Sequence, residues 1–207
     1  MDNLINKIEV LKKSRINHLV KNRITEFKKI DKKSNEKLFQ EICFCILTAN
    51  FNAEKCIKIQ KEIGDDFLFS SEKNLVKKLV SFGHRYPNAR AKYITDSMKC
   101  KEFLKDIIHN NDGNELREWL VKNIKGFGYK EASHFLRNIG FDDYAIVDFH
   151  IVDILVKHNL IDRPKNLTKM KYLDIENNLK ELAKKTNLTL AELDLYLWYM
   201  ETGKILK

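Results

Sequence analysis

The stretch VKNIKGFGYKEASHFLRNIGFDDYAIVDFHIVDIL, residues 121–155, decides how the chain is read. In it Gly126-Phe127-Gly128 ends a short apolar helix, Lys130 opens the next helix, and Asp148 and His150 follow a short linker. Both glycines are expected to permit a tight hairpin, because glycine takes positive φ and lets another backbone come close. A helix leaving such a hairpin points its first N–H groups outward, where they can hold a phosphate. Lys130 falls in that first turn, where the positive end of the helix dipole disfavours an ammonium. A purely structural lysine is out of place there. An amine that must be partly neutral to attack is not.

Working outward, residues 115–124 read as the first helix of the hairpin and 130–139 as the second, with Gly140 as C-cap. Asp148 follows the apolar run Ala145-Ile146-Val147 and suits the N-cap of a helix continuing to His158. Beyond Pro164 come two helices, about 171–186 and 190–200, the second opened by Thr189 with Glu192 three residues on. Before the hairpin, periodicity gives helices near 38–47, 53–63, 72–80 and 99–109, with turns at Gly64-Asp65-Asp66 and Asn110-Asn111-Asp112-Gly113. Ser34 marks the start of the 38–47 helix, which is apolar enough to be central and buried. Residues 1–30 form an amphipathic arm with Lys and Arg on its solvent face. The segment Phe82-Gly83-His84-Arg85-Tyr86-Pro87 reads as an exposed loop. Its aromatics and cations suit nucleic acid, although Tyr86 folded inward in an ordinary polar loop fits equally well.

Two prolines and seven glycines in 207 residues, with abundant Lys, Leu, Glu and Ile, favour an all-α fold. The net charge of +9 favours a polyanionic partner over solubility alone. No apolar run is long enough to span a membrane and no signal peptide is evident, so a cytoplasmic protein is expected. Cys43, Cys45, Cys56 and Cys100 form no CxxC pair, which argues against a zinc or iron–sulfur site. Cys43 and Cys45, in an apolar run, read as buried thiols.

Gly126-x-Gly128-x-Lys130 with an aspartate eighteen residues on (148 minus 130) resembles the helix-hairpin-helix DNA glycosylases with a glycine-rich hairpin and a distal aspartate. The resemblance extends from about Leu38 to the C-terminus. Iron–sulfur members carry four C-terminal cysteines, absent here, and alkyladenine-type members lack the lysine. Leu47-Thr48-Ala49-Asn50-Phe51-Asn52 and Arg90-Ala91-Lys92-Tyr93-Ile94 look like the corresponding segments of 8-oxoguanine DNA glycosylases. The chain is too short for the β-rich N-terminal domain of the eukaryotic type and ends at lysine, like the compact type 2 enzymes. It departs from most relatives at Lys125, where they have proline, and an altered hairpin stiffness is expected.

The resemblance implies two helical subdomains flanking a DNA-binding cleft, about 1–35 plus 140–207 and about 36–139, with the hairpin at 115–139. It implies a bifunctional enzyme in which Lys130 attacks the sugar, Asp148 stabilises the developing positive charge, and β-elimination nicks the strand. An unperturbed lysine amine is almost wholly protonated at neutral pH, so the site has to favour the neutral form. Gly126, Gly128 and His150 are expected at phosphates, and Asn50 and Arg90 at the orphaned cytosine. Trp198 and the terminal Lys207 are expected at the damaged base. Helical spacing with Leu190, Leu193, Leu197 and Met200 makes Trp198 equally a core residue, and a chain end is ordinarily frayed. A monovalent cation in the hairpin is compatible with the resemblance, and no other cofactor is expected. The expected partner is double-stranded DNA containing 8-oxoguanine, bound by a monomer associated with the nucleoid. The rivals are the same fold acting on another oxidised base and a non-catalytic DNA-binding module.

Overall fold

The structure is a computed structural model and describes residues 1–30, 32 and 34–207. Among the described residues there are twelve α-helices, two 3₁₀ segments and no strand, so the fold is all-α. No helix among them is long and apolar enough to cross a membrane. The chain divides into two compact units.

One unit takes residues 1–29 and 140–206. It holds α1 (Asp2–Lys12), α2 (Arg15–Lys28), α10 (Phe149–Lys157), α11 (Lys169–Thr186) and α12 (Leu190–Thr202). The expected N-terminal arm is therefore two helices. Ser14 interrupts it, because its hydroxyl accepts from the Ile16 N–H and restarts the helix. Ile16, Val20, Ile24 and Phe27 of α2 pack on Ala191, Leu195 and Tyr196 of α12 to form one core cluster of this unit. Thr189 and Glu192 cap α12 reciprocally, as their spacing predicts. Gly140 takes φ +90°, and its Cα faces the Lys28 backbone so closely that a Cβ would lie 3.0 Å from the Lys28 Cα. Only glycine fits that meeting.

The other unit takes residues 30–139 together with Lys207. Its helices are α3 (Asn35–Thr48), α4 (Ala53–Ile63), α5 (Glu72–Ser81), α6 (Pro87–Ser97), α7 (Leu104–Asn110), α8 (Gly113–Asn123) and α9 (Tyr129–Asn138). Ser34 caps α3, and from Leu38 to Leu47 every residue but Gln40 is buried. This is the central helix, with α4, α6, α7 and α9 packed around it. The single helix expected over 99–109 is instead a 3₁₀ segment, Met98–Phe103, followed by α7. The Asn35 carboxamide fastens the junction, donating to the Glu102 carbonyl and accepting from the Lys105 N–H. Periodicity does not register so distant a partner.

Candidate active site

The hairpin between α8 and α9 is closed by the Phe127 N–H on the Ile124 carbonyl at 3.2 Å. Gly126 occupies the third position of that four-residue turn with φ +86°, and Lys125 before it does not have positive φ, which makes a type II turn. Gly126 is needed on a second count, because a Cβ there would lie 2.5 Å from a carbon of the Tyr93 ring. Gly128 differs from expectation. Its φ is −106°, open to any residue, and what approaches it is the Glu131 carboxylate, 3.3 Å from where a Cβ would be.

That carboxylate accepts the Gly128 N–H at 3.1 Å, so this amide is already engaged within the hairpin. The outward donors left for an anion are those of the first turn of α9, which have no carbonyl one turn back within their helix. Glu131 also faces the Lys130 Nζ at 3.8 Å. A carboxylate thus offsets the unfavourable position of an ammonium at the positive end of a helix. Lys130 itself is about a quarter exposed, with 23% of its side chain in contact with solvent.

One turn along α9 from Lys130 stands His134, buried, with both ring nitrogens lacking a hydrogen-bond partner. Burial pushes its pKa well below the usual histidine value, and Arg137, Lys130 and Lys207 push it the same way. The Lys207 backbone lies near enough to oppose that shift, though not in hydrogen-bonding geometry. Lys130 and Lys207 also act together on the buried Cys45 thiol, whose pKa burial raises well above the ordinary value. The Phe44 ring, 5.7 Å from the His134 ring and 4.3 Å from the Lys207 Nζ, joins the helix that Lys130 opens to the last residue of the chain.

Lys207 is anchored there rather than frayed. Its Nζ lies 2.6 Å from Glu41 Oε2 and 4.3 Å from the centre of the Phe44 ring. Glu41 is 2% exposed and also accepts from Asn138 at 2.6 Å and Gln60 at 3.3 Å. Asn138 in turn accepts from Arg137.

In the same unit, Asn50 is exposed in the left-handed conformation, φ 57°. Arg90 is buried, and its guanidinium donates to the Ala49 carbonyl at 2.6 Å, leaving Nε without a partner. Arg90 thus braces the turn that presents Asn50. His84 braces it too, hydrogen-bonded to the Leu47 carbonyl at 3.0 Å and stacked on Phe51. The 82–87 loop is consequently divided between two roles. His84 is buried and structural, while Phe82, Arg85 and Tyr86 are exposed.

Asp148, in the first unit, caps α10 by accepting the Ile151 N–H at 3.0 Å. The apolar run before it, 144–147, is buried, its backbone N–H groups at Ala145 and Val147 meeting Glu176 and Tyr172. Just past the cap, His150 stands between two rings, Phe149 at 4.0 Å and Trp198 edge-on at 4.7 Å. Phe149 is 65% exposed, and the buried Trp198 Nε1–H has no partner. An unpartnered indole donor is uncommon in a packed interior and suits a place where something else binds.

Glu41, Glu131, His134 and Phe149 were not singled out in the sequence. Three left a local trace: Glu41 is the one charge in the apolar run 38–47, Glu131 stands three residues after a cap position, and His134 is four residues after Lys130.

A family model described as 8-oxoguanine DNA glycosylase matches residues 20–188. The chain is 54% identical over 206 residues to the 8-oxoguanine DNA glycosylase/AP lyase of Methanocaldococcus jannaschii, covering 99% of each. With that of Korarchaeum cryptofilum it shares 49% over 209 residues, covering 100% of this chain and 99% of the other. Among solved structures, the M. jannaschii glycosylase/lyase in complex with a 15mer DNA containing 8-oxoguanine matches with a TM-score of 0.96 at 52% identity, covering 99% of both chains. The Thermotoga maritima 8-oxoguanine DNA glycosylase matches with a TM-score of 0.94 at 41% identity, covering 100% of this chain and 99% of the other.

Proposed function

The chain belongs to the 8-oxoguanine DNA glycosylase family, and from that premise we propose that it excises 8-oxoguanine from double-stranded DNA and then nicks the abasic strand. One observation carries the residue assignment: Lys130 follows the glycine hairpin on the first turn of α9, next to a carboxylate and beside the anchored chain end.

The damaged nucleotide has to leave the stack, at a cost of roughly a few kcal/mol that phosphate contacts offset. We assign those contacts to the hairpin at Gly126 and Gly128, through the first-turn amides of α9, and to His150 at the start of α10. The neutral Lys130 Nζ donates its electron pair to C1′ of the sugar. The bond from C1′ to the base breaks, and the base leaves with its electron pair and takes up a proton. The new C1′ amine then gives up a proton, its electron pair breaks the C1′–O4′ bond, O4′ takes up a proton, and the opened sugar is joined to the enzyme by an iminium. Loss of a C2′ proton then expels the 3′ phosphate by β-elimination. Asp148 offsets positive charge on the sugar, and its cap hydrogen bond to Ile151 holds the carboxylate in one orientation.

8-Oxoguanine differs from guanine by an oxygen at C8 and a hydrogen on N7. The α-carboxylate of Lys207 supplies the acceptor for that N–H, and Trp198 supplies an aromatic face. Asn50 meets the orphaned base, with Arg90 holding its turn through Ala49. A monovalent cation fits the hairpin, since the Ile124 carbonyl, engaged by one N–H, keeps a second lone pair. It would steady the nearby phosphate, and the chemistry does not pass through it. The protein acts on the chromosome as a cytoplasmic monomer.

The test is borohydride trapping on duplexes that differ only in one base. A covalent adduct with the 8-oxoguanine duplex, and little with guanine, is expected. Preference for an oxidised pyrimidine would transfer the activity to another lesion. Absence of any adduct would leave a binding module.

A further inference from the structure

Glu41 is an unusual residue for its place. It sits on the central helix of the second unit, followed by the buried Ile42, Cys43, Phe44 and Cys45, and is itself 2% exposed. A carboxylate there loses nearly all its hydration and has to be met by donors. Asn138 and Gln60 supply two from within the unit's helices. The third, and the one that carries a charge, is the Lys207 ammonium at 2.6 Å, from the end of the chain. Chain ends are ordinarily loose. A buried counter-ion for the final side chain ties this one down, and Phe44 adds a cation–π contact from its ring.

The anchor uses the side chain of Lys207 and leaves its α-carboxylate as a separate group. With Nζ fixed, the carboxylate is confined to the short arc that the lysine stem allows. His134, unpartnered and beside the Lys207 backbone, borders the same place. We propose that Glu41 is a positioning residue for base selection, holding Lys207 so that the terminal carboxylate meets the N7–H of the lesion. The inference rests on the assignment of that carboxylate to the lesion and adds which residue places it. Glu41 acts through Lys207 and touches neither base nor sugar. A displacement of about 1 Å can cost roughly a hundredfold in rate, so slackening the anchor erodes discrimination before it erodes the lyase step.

The experiment compares wild type with Glu41→Gln, Lys207→Met and the double variant, all retaining a terminal carboxylate. Two quantities are read: the ratio of 8-oxoguanine to guanine excision, and borohydride trapping on a duplex already abasic. In Glu41→Gln the ratio is expected to fall by at least about tenfold, with abasic trapping retained. Lys207→Met should match that ratio, and the double variant should be no worse, because one interaction is removed in all three. An unchanged ratio in Glu41→Gln overturns the inference. So does a parallel loss of abasic trapping, which would mark a general packing role. If Glu41→Gln does not fold, Lys207→Met decides, and a preserved ratio in it is equally fatal. A wild type that forms no adduct, or shows no preference for 8-oxoguanine, removes the functional assignment itself and the inference with it.

Discussion

At the start of α10 the cap position is held by Asp148, whose carboxylate accepts the Ile151 N–H. At the start of α9 the cap position is held by Gly128, which has no side chain to cap with, and the first turn carries the cation of Lys130 beside the carboxylate of Glu131. The first arrangement follows helix electrostatics, since a carboxylate beside the positive end of the dipole is stabilising there. The second opposes them, and Glu131 makes up the deficit by taking the Gly128 N–H and facing Lys130. A carboxylate that stabilises charge can also be a structural cap. A lysine at a helix start needs a carboxylate beside it, and Glu131 supplies one.

The strongest way to break this comparison is at the amine. Lys130→Gln is expected to abolish both excision and borohydride trapping while duplex affinity survives, as read by gel shift and denaturing gel. Residual cleavage at the wild-type rate would return Lys130 to the role of a phosphate contact. Asp148→Asn sharpens the other side. Asparagine caps a helix about as well as aspartate, so the thermal midpoint should hold while excision falls by about a hundredfold. Asp148→Ala should add a loss of about 1 kcal/mol in stability. Equal excision by the Asn variant and wild type would leave Asp148 a cap and nothing more.

Smaller effects probe what lies behind the α9 start. Because burial holds His134 neutral in the fold, the unfolded chain binds a proton that the folded chain does not once pH falls below about 6.5. Stability should therefore decline by up to about 1.4 kcal/mol per pH unit between that value and the depressed folded-state pKa. His134→Gln should flatten that portion of a urea-midpoint profile, and an unaltered slope would assign the acid sensitivity to other groups. The smallest expected effect is at Lys125, the second position of the type II turn, where a pre-set φ of about −65° is favourable. Lys125→Pro should raise stability by about 0.5 kcal/mol, and a loss would mean that the Lys125 N–H has a partner in the fold.

The helix starts were legible where a side chain announces them locally. Ser34, Asp148 and the Thr189/Glu192 pair cap the helices their spacing predicts. Gly126 was legible for the same reason, since its turn is closed within four residues. Gly128 was only partly so: its importance at the cap is evident, but its φ is ordinary because the helix begins immediately after it. Arg90 shows the reverse case. The resemblance places it at the orphaned cytosine; what its sequence does not disclose is that its guanidinium donates to Ala49, a backbone carbonyl whose availability depends on how α3 ends.

From its residues alone, the chain determined an all-helical fold, the hairpin, the lysine–aspartate spacing and the family, because each is written in short-range periodicity or in a motif of fixed offsets. Tertiary structure decided what the buried charges do. Glu41 and Lys207 lie 166 residues apart, and nothing local to either indicates the other. Their pairing follows from the demand that a carboxylate removed from water be met by a cation. Only the folded chain brings that cation within reach.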